Sequence, residues 1–162
     1  MTATQQQPYD EMNWELDYRQ NPDKYVVGTG EFGVLMYQPY KSEILPHWEY
    51  KDEDAAHRAA PVIYEMFCGY LDHDDFPGAD MARKYLQMGF TRAMRYAKYP
   101  GGKKYDEDGT EREQITWADP DKRAAAVVYK EYWDCAREHS AYQRQREAHT
   151  RSDSTYQATL TA

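Results

Sequence analysis

DMARKYLQMGFTRAMRYAKYPGGKKY, residues 80–105, decides how this chain is read. With Arg83 set at zero on a wheel of about 100° per residue, Ala82, Leu86, Gly89, Phe90, Ala93 and Ala97 fall between about 240° and 340°. On the same wheel Lys98, Lys84, Arg95 and Arg92 fall between about 60° and 180°. The pattern predicts an amphipathic helix from about Asp80 to Tyr99, halted by Pro100, Gly101 and Gly102. Its apolar face is made largely of small residues, so a neighbouring helix can come close to it.

The charge of this stretch is one-sided. From Met81 to Tyr105 seven residues are basic (Arg83, Lys84, Arg92, Arg95, Lys98, Lys103 and Lys104) and none is acidic. The rest of the chain holds 13 basic against 28 acidic residues, so a net of −15 surrounds this segment within a whole-chain net of −8. Bulk attraction to polyanions is excluded by that balance; a local cationic face is not. An ordinary solvated helix interleaves Glu with Lys or Arg at i,i+4. Guanidinium groups grip phosphate oxygens in pairs and lysine adds point charge, so Lys84, Arg92, Arg95 and Lys98 are expected to bind a phosphate-rich partner, nucleic acid or nucleotide, with Lys103 and Lys104 at the edge. Tyr85, Tyr96, Tyr99 and Tyr105 lie among them as possible stacking surfaces. The competing reading pairs these cations with carboxylates of the same fold.

Outward from this helix, Asp52 or Asp54 caps an earlier one running to about Tyr70, with Ile63, Met66, Phe67 and Tyr70 on one face and Pro61 as a kink or first turn. Asp119 followed by Pro120 caps a third, which continues past Tyr142 as a polar extension. Near the N-terminus, Lys24–Val27 and Val34–Tyr37 read as two short strands around a glycine-rich connection. The expected fold is therefore α+β and mainly helical, a short N-terminal β-hairpin packed on three helices. Residues 1–13 are expected to form a flexible arm, 14–149 the domain and 150–162 a flexible tail. No run approaches the roughly 20 apolar residues that cross a bilayer, and the first residues lack a cationic start followed by an apolar stretch, so a cytoplasmic protein without a membrane partner is expected.

Gly28-Thr29-Gly30-Glu31-Phe32-Gly33 matches G-x-G-x-x-G, but no helix is expected after it, so the dinucleotide reading fails its context. A kinase-type loop fails as well: no H-R-D motif follows, and Asp75-Phe76-Pro77-Gly78 is not D-F-G. A turn needing positive φ or an amide-lined anion cradle remains. Lys41 and His47, near Tyr40 and Trp48, suit an anionic, ring-bearing ligand, or belong to a Pro-bracketed loop that packs Ile44, Leu45 and Trp48 inward. Asp72, His73, Asp74, Asp75 and Asp80 suit either a hard cation or, as expected for an acidic cluster just outside a helix, plain solvation; the turn at Asp106–Gly109 fails the calcium-loop pattern, and no Cys-His zinc spacing exists. No cofactor is expected. Cys68 and Cys135 are expected as reduced, buried thiols.

The strings VGTGEFGVLMYQPYKSEILPHW and DMARKYLQMGFTRAMRYAKYPGGKKY resemble domain-of-unknown-function family 4385, over roughly Tyr25 to Trp133. The resemblance implies no activity, substrate or catalytic residue. The leading expectation is a non-catalytic binder of a phosphate-rich ligand. The alternatives are a small enzyme on a nucleotide or anionic metabolite, with His47 as acid or base, and a structural or assembly protein of phage or cell.

Overall fold

Asp52 starts the first long helix by accepting a hydrogen bond from the Ala55 amide at 2.9 Å, with Glu53 and Asp54 favourably placed in the first turn. The same device recurs at Asp75, which accepts from the Gly78 amide at 3.2 Å, and at Asp119, which accepts from the Lys122 amide at 3.1 Å. A proline occupies the first turn after each of these two caps, where its missing N–H costs nothing. In the computed structural model, which describes residues 11–161 and side chains to Ser152, the helices are α1 Tyr40–Ile44, α2 Glu53–Asp72, α3 Phe76–Lys98, α4 Pro120–Glu138 and α5 Ser140–Thr161. Short 3-10 turns stand at Pro22–Lys24, Leu45–His47 and Pro100–Gly102. The expected arm lies outside the described residues up to residue 10, as do residue 162 and the tail's side chains beyond Ser152.

Helix α3 is central, and its two halves differ. From Phe76 to Leu86 every residue is buried, so the helix is enclosed on all sides. Beyond that point only Met88, Gly89, Ala93 and Ala97 are buried, and one face is open. Gly89 lets α4 approach: a Cβ there would collide with the Tyr129 ring. The small-residue seam expected from the wheel is thus real. Helix α3 also begins a turn earlier than expected, at Phe76, because Asp75 caps it.

The expected β-hairpin is absent. Among the described residues there is no strand, only the isolated bridges Asp17–Gln38 and Tyr105–Glu111. Gly28, Gly30 and Gly33 have φ of 67°, 60° and 72°, and the segment curls through short-range bonds, Phe32 N–H to Thr29 O, Val34 N–H to Glu31 O and Met36 N–H to Gly33 O. Val26 has its ladder partner replaced by a side chain: its amide donates to the Tyr37 hydroxyl at 3.2 Å, which donates back to its carbonyl at 2.8 Å. A strand-like composition therefore reflects burial here. Tyr25 and Tyr37 pack ring against ring at 4.5 Å under the loop.

The third helix also differs from expectation. It breaks at His139, whose extended backbone (φ −64°, ψ 125°) turns the chain into α5. That break folds α5 back onto the rest of the body: Gln145 Nε2 donates to the Leu71 carbonyl at 3.2 Å, and His149 Nε2 lies 2.7 Å from the Tyr25 carbonyl. No helix among the described residues is long and apolar enough to cross a membrane.

Candidate functional site

The enclosed half of α3 contains charge. Asp80 and Lys84 are fully buried and Arg83 nearly so. Arg83 donates to Asp80 Oδ1 from Nη2 at 2.7 Å and from Nε at 3.2 Å, and the Lys84 ammonium lies 3.5 Å from Asp80 Oδ2. The Tyr25 and Tyr142 hydroxyls donate to the same carboxylate at 2.5 and 2.6 Å. The two cations then reach outward to the glycine loop, Arg83 Nη1 to Gly30 O at 2.7 Å and Lys84 Nζ to Phe32 O at 2.6 Å. The Tyr25, Tyr37 and Phe32 rings surround Lys84 Nζ at 5.0, 5.4 and 5.8 Å.

This arrangement sets the protonation states. Burial alone would raise the Asp80 carboxyl; Arg83 and Lys84 overcome it, and with the two tyrosine hydroxyls hold Asp80 far below the carboxylate range. Burial pushes Lys84 down to about 7 against the attraction of Asp80, because Arg83 already balances that carboxylate and repels a second cation. Tyr25 is pushed up by burial and by Asp80. The loop offers carbonyls to these cations, while the Phe32 and Val34 amides are used within it. It is a positive-φ turn and does not present an anion cradle to the interior.

The expected binding residue Lys84 is therefore not on the outward face, and neither is Arg83. Sequence reasoning missed Asp80, one residue before the acid-free window, although its spacing of three and four residues from Arg83 and Lys84 is that of a helical ion pair.

The open half behaves otherwise. Arg92 and Arg95 are exposed and Lys98 is half-buried, on successive turns of α3. None of the three, nor exposed Lys103, has a side-chain hydrogen bond or ion pair with a described residue. Lys104 is only loosely held, 4.0 Å from Glu111. Arg95, Lys98 and Lys104 line one cleft of about 310 Å³, floored by Phe90 and Met94. Its single carboxylate, Glu111, accepts from the Tyr99 hydroxyl at 2.9 Å. Positive charge exceeds negative there by two.

The far wall of the cleft is a loop tied to the end of α3. The Ile115 amide donates to the Lys98 carbonyl at 2.9 Å and the Arg112 amide to the Lys104 carbonyl at 2.8 Å. Arg112 Nη1 adds bonds to the Pro100 and Lys103 carbonyls at 3.1 and 3.0 Å. Lys103 and Lys104 are thus held beside the helix.

Lys41 and His47 do not join this cleft. Lys41 is half-buried on α1, and His47 is exposed at the end of the 3-10 turn. The loop between them packs inward: Ile44 is buried and Trp48 Nε1 donates to the Tyr85 carbonyl at 3.1 Å. Cys135 is exposed and Cys68 half-buried, both as free thiols, so the expectation of two buried thiols fails. A larger cleft of about 620 Å³ lies by Arg19, Tyr70 and Asp75, but these three are engaged in one network with Glu43. Arg19 binds Glu43 at 2.7 Å and Asp75 at 3.2 Å, and the Tyr70 hydroxyl donates to Glu43 at 2.6 Å. No group of three or more His, Cys, Asp or Glu among the described residues is arranged to hold a metal ion.

Neither a curated protein nor a solved structure matches the chain. One family model does, and it extends past the resembling segment Tyr25–Trp133 at both ends, taking in Tyr142 and His149 of the α5 contact as well as the ridge. Matched over residues 8–152, the chain belongs to the family described as Domain of unknown function (DUF4385).

Proposed function

We propose that the protein binds a phosphate-bearing ligand, nucleic acid or nucleotide, along the open half of α3 through Arg92, Arg95, Lys98, Lys103 and Lys104. One observation carries this reading: Arg92, Arg95, Lys98 and Lys103 have no partner among the described residues, although the chain has an excess of carboxylates. Exposed ion pairs contribute only about 0–1 kcal/mol, so stability gives little reason for residues 81–105 to hold no acid. A ligand would give a reason, since a carboxylate interleaved with the cations repels phosphate. The Arg95–Lys98–Lys104 cleft supplies a concave place where a phosphate can meet several cations at once. Lys84 has no part in this binding, and Lys41 and His47 stand apart from it.

Binding of a labelled oligonucleotide measured against salt concentration tests the reading. Engagement of about four phosphates gives a slope of log affinity on log salt near −3. Arg92→Glu/Arg95→Glu is expected to abolish binding at low salt with the fold intact. Equal binding by that variant and the parent defeats the reading.

A further inference from the structure

Two Tyr, Trp or Phe rings among the described residues stand out into solvent, and both lie in the loop that follows the cationic ridge. Tyr105 is 55% exposed and Trp117 40%. Elsewhere the described rings of these three types are buried or half-buried. A cation already lies over each: Lys104 Nζ is 5.6 Å from the Tyr105 centroid and the Arg123 guanidinium 4.4 Å from that of Trp117. The backbone holds both rings in display. Tyr105 pairs with Glu111 in an isolated bridge, and Trp117 takes φ 54°, a left-handed conformation that a bulky side chain adopts only under constraint. Two residues before it, Ile115 is bonded to the last turn of α3. The Trp117 ring is thus met by Arg123 and is not among the rings packed against the core.

Resting on the phosphate-binding reading above, we propose that Tyr105 and Trp117 are stacking platforms for unpaired bases, so that the ligand is a single-stranded nucleic acid. Its phosphates lie along Arg95, Lys98, Lys103 and Lys104. Every base has a π-face that an exposed ring can cover, whereas a duplex hides those faces within its own stack. The cations over the rings strengthen the contact. Asp106, Glu107 and Asp108, directly after Tyr105, repel phosphate and end the track there, which keeps the footprint short.

The test is anisotropy at low salt with three probes: a labelled oligodeoxythymidine of about 12 nucleotides, within the span of known single-strand sites, a duplex of equal length, and inorganic polyphosphate as competitor. The single strand is expected to bind about tenfold or more tighter than the duplex, and to quench tryptophan fluorescence. Tyr105→Ala/Trp117→Ala is expected to lose about tenfold or more on the single strand while polyphosphate binding and melting temperature stay unchanged. Tyr105→Ala alone, in an exposed loop, gives a smaller loss and guards against misfolding of the double variant. If the ring variants bind the single strand as the parent does while Arg95→Glu/Lys98→Glu loses it, the stacking proposal is overturned and phosphate binding stands. If the parent binds none of the three polyanions, both are overturned.

Discussion

The first and second halves of α3 carry the same residue types to opposite ends. Arg83 and Lys84 are enclosed and share one carboxylate, while exposed Arg92 and Arg95 and half-buried Lys98 have no side-chain partner among the described residues. The helix itself does not make this difference. Tyr25 and the glycine loop from the N-terminal side, and Tyr142 from α5, close over the first half, and nothing comparable among the described residues closes over the second. A cation in a sequence is thus an interior or a surface residue according to what remote segments cover it. In the first half the positive charge organises the interior; in the second Arg92 and Arg95 stand exposed.

The largest break in that comparison comes from Asp80→Ala. It strips the buried cations of their carboxylate and takes the acceptor from the Tyr25 and Tyr142 hydroxyls, for an expected loss of about 3–5 kcal/mol, read by denaturant titration. A loss below about 1 kcal/mol means that the network does not hold the core together.

Next in size is a pH effect. The Lys84 amine is charged in the unfolded chain up to its ordinary value of 10.5 but in the fold only below about 7. Between those values the unfolded chain binds more protons, so stability rises with pH, by up to about 1.4 kcal/mol per unit. Below pH 7 the penalty is at full size and constant. Melting curves of the parent should climb from pH 7 to about pH 8.5, above which ionisation in the unfolded chain of tyrosines that burial keeps protonated in the fold opposes the trend, and Lys84→Met should flatten the climb. A parent profile flat over that window means that Lys84 stays charged.

The smallest stability effect belongs to the open half. Arg92→Ala/Arg95→Ala should change stability by less than about 0.5 kcal/mol, since neither side chain has a partner among the described residues to lose. A loss of more than about 1 kcal/mol makes these arginines structural and erases the contrast between the halves.

Much of the helical frame was legible. Asp52 and Asp119 act as caps, Pro100-Gly101-Gly102 ends α3, and Ala82, Gly89, Ala93 and Ala97 form the packing seam. Capping and periodicity depend on neighbours a few residues away, so they can be read locally. The glycine loop was misread because Tyr25, Val34 and Tyr37 suit a strand as well as any buried segment. Its curl follows from three positive-φ glycines and from a tyrosine hydroxyl that takes the place of a partner strand. Of the cationic residues, the position of Lys84 was wrong because the wheel gives angles and says nothing of what lies opposite them.

The sequence by itself determined the helix starts and stops, the close seam between α3 and α4, and the gathering of positive charge into one acid-free window. Only the tertiary structure decided which of those charges are enclosed. The reason is that burial and pairing are set by segments far apart in the chain: Asp80 meets Tyr25 across 55 residues and Tyr142 across 62. No local pattern records such meetings, whereas a hydrogen-bonded cap or a stripe of small residues is complete within a few turns of its own helix.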